Sequence, residues 1–138
     1  MQKNIDIHKA AGILIKDRKF LITRAKKKCF FVSPGGKVDK NETVEDALIR
    51  ELKEELDIDT KIANLKNFGV FYASAQGQEN KYLKMDVFLV LKWEGEIMAS
   101  SEVEEVVWTD SNIPSDIELG SIFLREVLPK LKSLDLID

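Results

Sequence analysis

Residues 36–58 read GKVDKNETVEDALIRELKEELDI, and the periodicity of this stretch governs how the rest of the chain is arranged. Thr43 can cap a helix, with Glu45 and Asp46 in a first turn where the helix dipole favours negative charge, and the helical pattern runs to about Leu56. Advancing ~100° per residue from Val44 gathers Ala47, Leu48, Leu52 and Leu56 on one stripe. Glu51 and Glu55 fall in the middle of that stripe, so two acids point inward. Glu54 flanks them, while Asp46, Arg50 and Lys53 take the solvent side. Carboxylates at i and i+4 repel by roughly a few tenths of a kcal/mol when exposed, and burying an unpaired one costs several kcal/mol more. Such a pair requires something positive beside it, a basic side chain or a divalent metal. Hard cations such as Mg²⁺ take oxygen ligands, which Glu51, Glu54 and Glu55 can offer. A plain surface helix, its glutamates paired with Arg50 and Lys53, is the competing arrangement. The turn Ser33-Pro34-Gly35-Gly36 weighs against it, because glycines just upstream of an acidic helix let backbone groups approach a metal or a phosphate.

Upstream, residues 9–15 and 20–23 read as strands around the turn 16–19, predicting an N-terminal hairpin, and the apolar residues 30–32 lead into the Pro-Gly-Gly turn. Downstream, strands are predicted at residues 65–72, 83–93 and 103–108, with the polar residues 74–80 as a mobile loop. A C-terminal helix over 121–131 carries Phe123, Val127 and Leu131 at four-residue spacing, and Pro129 is expected to kink or end it. Strands before, between and after two helices predict an α/β fold, a mixed β-sheet sandwiched between helices.

The length of 138 residues suits one domain spanning 1–138, and 44% hydrophobic with 33% charged residues is globular composition. A formal net charge of -3 excludes a global attraction to duplex nucleic acid or to acidic membranes. The charges are segregated, however. Residues 1–28 hold nine Lys or Arg against two Asp, and residues 36–59 hold four against nine acids, so a basic segment able to meet an anion precedes an acidic one able to collect cations. The longest apolar run, residues 87–91, is far short of the ~20 residues that span a bilayer. With no apolar stretch following residues 1–4 and a single cysteine, Cys29, a cytoplasmic setting is expected. His8 is the only histidine, which leaves little material for His-cluster zinc sites or Ser-His-Asp catalysis. A Cys29–His8 nucleophilic pair is the remaining alternative, although Cys29, beside Phe30 and Phe31, reads as core.

Residues 36–58 resemble the Nudix box, G-x5-E-x7-R-E-U-x-E-E-x-G-U, where U is a bulky aliphatic. Gly36, Glu42, Arg50, Glu51, Leu52, Glu54, Glu55 and Ile58 stand in register, eight of nine fixed positions, and Asp57 stands where the pattern has Gly. That position lies just past the helix end, where a left-handed conformation is wanted. Asp tolerates it better than most residues, so a modest stability cost with intact chemistry is expected. The N-terminal hairpin, the Pro-Gly-Gly lead-in, the Glu-rich stretch ending in Trp108 and the C-terminal helix are similar to the family over nearly the whole chain.

The resemblance implies the Nudix fold and Mg²⁺- or Mn²⁺-dependent hydrolysis of a nucleoside diphosphate linked to another moiety. On the matching positions, Glu51, Glu54 and Glu55 would be metal ligands together with the backbone carbonyl of Gly35. Arg50 would orient the glutamates, and Glu42 would be the outer glutamate of the box. The general base would be a box glutamate, Glu51 or Glu54, or a later acid among Glu102, Glu104 and Glu105. Arg24 is expected to meet substrate phosphates with Gly35 and Gly36 alongside, while Lys26, Lys27 and Lys28 are expected to be solvated. Phe30, Phe71, Tyr72 and Tyr82 are candidates to stack a base. The expected activity is that of a MutT-like nucleoside triphosphate pyrophosphohydrolase releasing a nucleoside monophosphate. Hydrolysis of ADP-ribose or dinucleoside polyphosphates and non-catalytic nucleotide sensing are the alternatives. The complete glutamate set disfavours a sensor, and the poverty in His and Cys disfavours an isomerase of isoprenoid diphosphates. The expected partner is a small nucleotide, with no duplex nucleic acid and no membrane. Homodimers are frequent in the family.

Overall fold

The computed structural model describes residues 4–75 and 78–138, with side chains described throughout except at residues 75 and 78–80. In chain order the elements are β1 (Ile7–Ile13), β2 (Ile15–Lys16), β3 (Lys19–Ala25), β4 (Gly35–Lys37), α1 (Val44–Leu56), a 3₁₀ turn (Ile62–Asn64), β5 (Leu65–Ala75), β6 (Gln78–Val90), β7 (Val103–Thr109), a π-helical turn (Phe123–Val127) and α2 (Leu128–Ser133). A four-stranded mixed sheet runs β4-β1-β6-β5, with β1 parallel to β6 and the other pairs antiparallel, and a three-stranded sheet runs β2-β3-β7. No helix among the described residues is long and apolar enough to cross a membrane.

The two faces of β1 explain the layering. Ala10 packs with Phe88, Val90 and the α1 residues Ala47, Leu48, Leu52 and Leu56, whereas Ala11 and Ile13 pack with Val87, Phe123, Val127 and Leu131. Both faces of a strand parallel to its neighbour are thus covered, which is why residues 10–15 are apolar without alternation. The helices lie on opposite sides of the sheet, as the α/β expectation requires. Each fully buried leucine of α1 contributes roughly 1.5–3 kcal/mol of burial.

Several local expectations are corrected. The N-terminal hairpin pairs only Ile15 and Lys16 with Phe20 and Lys19, across a two-residue turn in which Asp17 and Arg18 both have positive φ. Residues 9–13 of the expected first strand belong to β1 in the other sheet, and the chain crosses between sheets at the buried Leu14. The Pro-Gly-Gly turn continues into β4, whose Gly35, Gly36 and Lys37 pair antiparallel with Ala11, Ala10 and Lys9. Of the loop expected at residues 74–80, β5 and β6 take up all but residues 76 and 77, which lie outside the described residues. Pro129 does not end the C-terminal helix. It has no N–H to give, so the preceding turn widens to a π turn and the helix continues to Ser133. Cys29 is exposed rather than core.

Helix α1 matches its expected bounds. The Asp46 N–H donates to the Thr43 Oγ1 at 3.0 Å, and Asp57 closes the helix in the left-handed conformation, φ 57° and ψ 37°. Asp57→Gly relieves that conformation and loses only an exposed 3.2 Å ion pair with Lys53. It is expected to raise the unfolding free energy by about 0.5 kcal/mol. A lowered denaturation midpoint would contradict this.

Candidate active site

The acids of α1 meet the edge strand β4. Glu51 turns its carboxylate onto the Cα of Gly36: a Cβ there would lie 2.4 Å from Glu51 Cδ and 2.5 Å from Oε1. The missing side chain at position 36 is therefore the slot in which Glu51 sits, its own side chain only 16% exposed. Gly35 has φ +146°, and a Cβ there would stand 2.1 Å from the Ala10 carbonyl oxygen, so only glycine lets β4 close against β1. Gly36→Ala leaves Glu51 to move, since the obstructed group is the end of a flexible side chain. Stability should change by about 1 kcal/mol or less, while a displaced acid should lower kcat/KM roughly ten- to a hundredfold. Wild-type kinetics in this variant would refute the slot.

Arg50 organises the acids. Its Nε and Nη2 donate to the two oxygens of Glu42 at 2.8 and 3.0 Å, its Nη1 donates to Glu51 Oε1 at 3.0 Å, and Nη2 also donates to the Lys37 carbonyl at 3.1 Å. The fork to Glu42 is bidentate, the strong geometry for a guanidinium and a carboxylate. The Arg50 hydrogen bonds, helped by the Asp39 N–H, hold the Glu42 carboxyl down at about 2. Glu54 is different. It is 50% exposed and touches Arg50 only at 3.4 Å, on the outer side of the helix.

Glu55 has no such arginine. Burial first, then the charge of Glu51 and a hydrogen bond with it, push its carboxyl up to about 8, against a Gly35 N–H bond and the Lys9 charge that pull the other way. Two acids thus share a half-buried space without enough positive charge to ionise both. Among the described residues no three His, Cys, Asp or Glu side chains are already gathered round one point: Glu51 and Glu55 are together, and Glu54 faces Arg50. The donor set is all hard carboxylate oxygen beside an under-neutralised pair, which fits Mg²⁺ or Mn²⁺.

On the face of the sheet covered by the C-terminal helix opens a pocket walled by Ile7, Phe30, Leu83, Met85, Ile122 and Phe123, with the polar groups of Lys9, Ser33, Ser74 and Ser121 at its lining. Of the aromatic residues expected to stack a base, Phe30 lines this pocket. Phe71 packs on the core, and Tyr72 and Tyr82 stack on each other with ring centres 6.1 Å apart. Arg24 and Glu105 pair across β3 and β7 at 3.3 Å and face a separate polar cleft with Lys28, Cys29 and Asp116. Arg24 also donates to the Lys28 carbonyl at 3.1 Å. His8 Nε2 lies 2.6 Å from Asp86 Oδ2, so the Cys29–His8 alternative fails: His8 is engaged elsewhere. Lys9 and the pocket wall from the C-terminal helix were not singled out from sequence. The available signal was a lysine inside the apolar run 7–15, opposite Lys37 of β4.

Comparison with known proteins bears on this geometry. The NUDIX domain family model matches residues 6–131. An ADP-ribose pyrophosphatase of Methanocaldococcus jannaschii is 36% identical over 104 residues, covering 73% of this chain and 60% of that protein. An 8-oxo-dGTP diphosphatase of Buchnera aphidicola subsp. Schizaphis graminum is 38% identical over 93 residues, covering 62% of this chain and 64% of that one. The matched segment therefore spans less than two thirds of either relative. The crystal structure of a MutT NUDIX hydrolase from Burkholderia pseudomallei superposes with a TM-score of 0.71 at 20% identity, covering 94% of this chain and 95% of that one, and so shares the fold.

Proposed function

Because this chain belongs to the Nudix family, we propose that it is a divalent-metal-dependent pyrophosphohydrolase that splits nucleoside triphosphates to a nucleoside monophosphate and pyrophosphate. The observation that carries this reading is the under-neutralised Glu51–Glu55 pair set against Gly35 and Gly36. Glu51, Glu54, Glu55 and the Gly35 carbonyl would hold the metal. A bound divalent ion supplies a bound water of lowered pKa and charge neutralisation on the phosphate oxygens. Arg50 keeps Glu51 in the Gly36 slot and ties it to Glu42, so the acids need not reorganise during reaction. We assign the proton of the attacking water to Glu54, whose side chain is 50% exposed. Glu105, paired with Arg24 beside another cleft, is assigned no proton-transfer role. Water adds to one phosphorus, the bridging P–O bond breaks, and the departing phosphate carries away the bond's electron pair.

A second reading, hydrolysis of ADP-ribose, is favoured by the 36% identity to the archaeal ADP-ribose pyrophosphatase. Incubation with Mg²⁺ and a panel of nucleoside triphosphates, 8-oxo-dGTP, ADP-ribose and diadenosine polyphosphates, with chromatography of the products, separates the two. Monophosphate and pyrophosphate from triphosphates support the first, and AMP with ribose phosphate from ADP-ribose alone supports the second. Turnover of none of them refutes both.

A further inference from the structure

The pocket on the C-terminal-helix face of the sheet contains one charged side chain among its described lining residues, Lys9. Everything else there is apolar, a serine or a glycine, so the body of the pocket suits a flat uncharged group and its rim holds a cation. Register fixes where that rim lies. Lys9 stands opposite Met85 of β6, a pocket residue, and opposite Lys37 of β4; it alternates with Ala10, so its side chain leaves the sheet on the pocket face with Ile7 and Ala11, while the Gly36 slot of Glu51 lies on the α1 face. Lys9 therefore lines the pocket while lying close enough to Glu55 and Glu51 to feel their charge, with no hydrogen bond or ion pair closed onto its ammonium among the described residues. Lys37 and Lys28 oppose its charge and Glu55 and Glu51 favour it, so its neighbours only partly neutralise it. A half-buried ammonium in such a wall is costly unless an anion arrives.

We propose that Lys9 is a specificity-determining residue that binds the phosphate joined directly to the group held in the pocket. The inference rests on the function proposed above and adds to it a phosphate anchor supplied by the chain itself. A lysine serves here as a compact point charge with three donors, able to follow a phosphate through different orientations. The rival role is structural: Lys9 as a resident counter-ion for Glu51 and Glu55, with no contact to substrate. The two roles predict different binding in the absence of metal.

The test is calorimetric titration of the metal-free protein in EDTA with guanosine and GMP, and with adenosine and AMP. At least one monophosphate is expected to bind wild type about tenfold or more tighter than its nucleoside, the increment of one charge-assisted contact. Lys9→Met and Lys9→Gln should bring that preference to within about twofold while leaving nucleoside affinity unchanged, and Lys9→Arg should retain most of it. Circular dichroism of each variant establishes folding, and Lys9→Gln keeps the test open if Lys9→Met does not fold. Persistence of the preference in Lys9→Met or Lys9→Gln, or its absence in wild type, would overturn the assignment. The same wild-type preparation is assayed for Mg²⁺-dependent hydrolysis. Hydrolysis with an unaltered preference in the variants defeats Lys9 alone, whereas no hydrolysis of any nucleotide defeats the proposed function and this inference with it.

Discussion

Replacing Glu51 by glutamine is expected to lower kcat/KM by about a thousandfold or more while leaving the fold in place. Glutamine has nearly the same shape, so it can still lie over the Cα of Gly36 and accept from Arg50 Nη1 through its carbonyl oxygen. What it lacks is the charge. If Glu51 helps hold a divalent ion that lowers a water pKa and neutralises phosphate oxygens, losing that charge removes several kcal/mol from the transition state, and each 1.36 kcal/mol is about tenfold in rate. Glu55→Gln is expected to act in the same direction by orders of magnitude. Steady-state kinetics on whichever nucleotide is turned over, with thermal unfolding alongside, reads both effects. Rates within tenfold of wild type in both variants would show that the acids are not the metal centre.

The second large effect is on stability as a function of pH. In the metal-free protein the Glu55 carboxyl is raised to about 8, from an ordinary value near 4.5, by burial and by Glu51. Between those two values the folded chain keeps a proton that the unfolded chain has released. Stability should therefore be greatest below about pH 4.5 as far as this group is concerned, and be lost as pH rises toward and through 8. The total is on the order of a few kcal/mol, one pKa unit being about 1.36 kcal/mol. Glu42 works in the opposite sense and elsewhere: its carboxyl is held at about 2, so its contribution is present above the ordinary value and is lost as pH falls toward 2. Denaturant unfolding in EDTA from pH 5 to 8.5, for wild type and Glu55→Gln, isolates the group by difference. Wild type should lose stability relative to the variant across that range. Mg²⁺ should restore it near pH 8 and release a proton on binding near pH 7. Parallel pH curves for the two chains would rule out a shared proton.

Helix α1 was legible in the sequence almost to the residue, because its signals are local: a Thr43 cap, acids in the first turn, a 3.6-residue apolar period and a polar residue able to take the left-handed end at Asp57. The inward acids were legible for the same reason; the box resemblance marked Arg50 and Glu42 separately, and their bidentate pairing is seen only in the structure. What was not legible depends on partners far apart in sequence. Nothing local to residues 7–16 says that the chain changes sheets at Leu14, or that Gly35 and Gly36 form an edge strand on Ala11 and Ala10. Glu105 read as one acid of a Glu-rich stretch, and only the β3–β7 register reveals that it faces Arg24. Lys9 was hidden likewise, since its meaning comes from β4, β6 and the C-terminal helix meeting around it.

Paramagnetic titration with Mn²⁺ addresses the metal centre most directly, because the free ion's resonance disappears on binding whether or not any substrate has been identified. Wild type at pH 8 should bind Mn²⁺, release it to competing Mg²⁺, and lose at least about tenfold in affinity with either Glu51→Gln or Glu55→Gln, as loss of one direct carboxylate ligand requires. Equal Mn²⁺ binding by wild type and a Glu51→Gln, Glu55→Gln double variant would contradict a divalent ion held by these two acids.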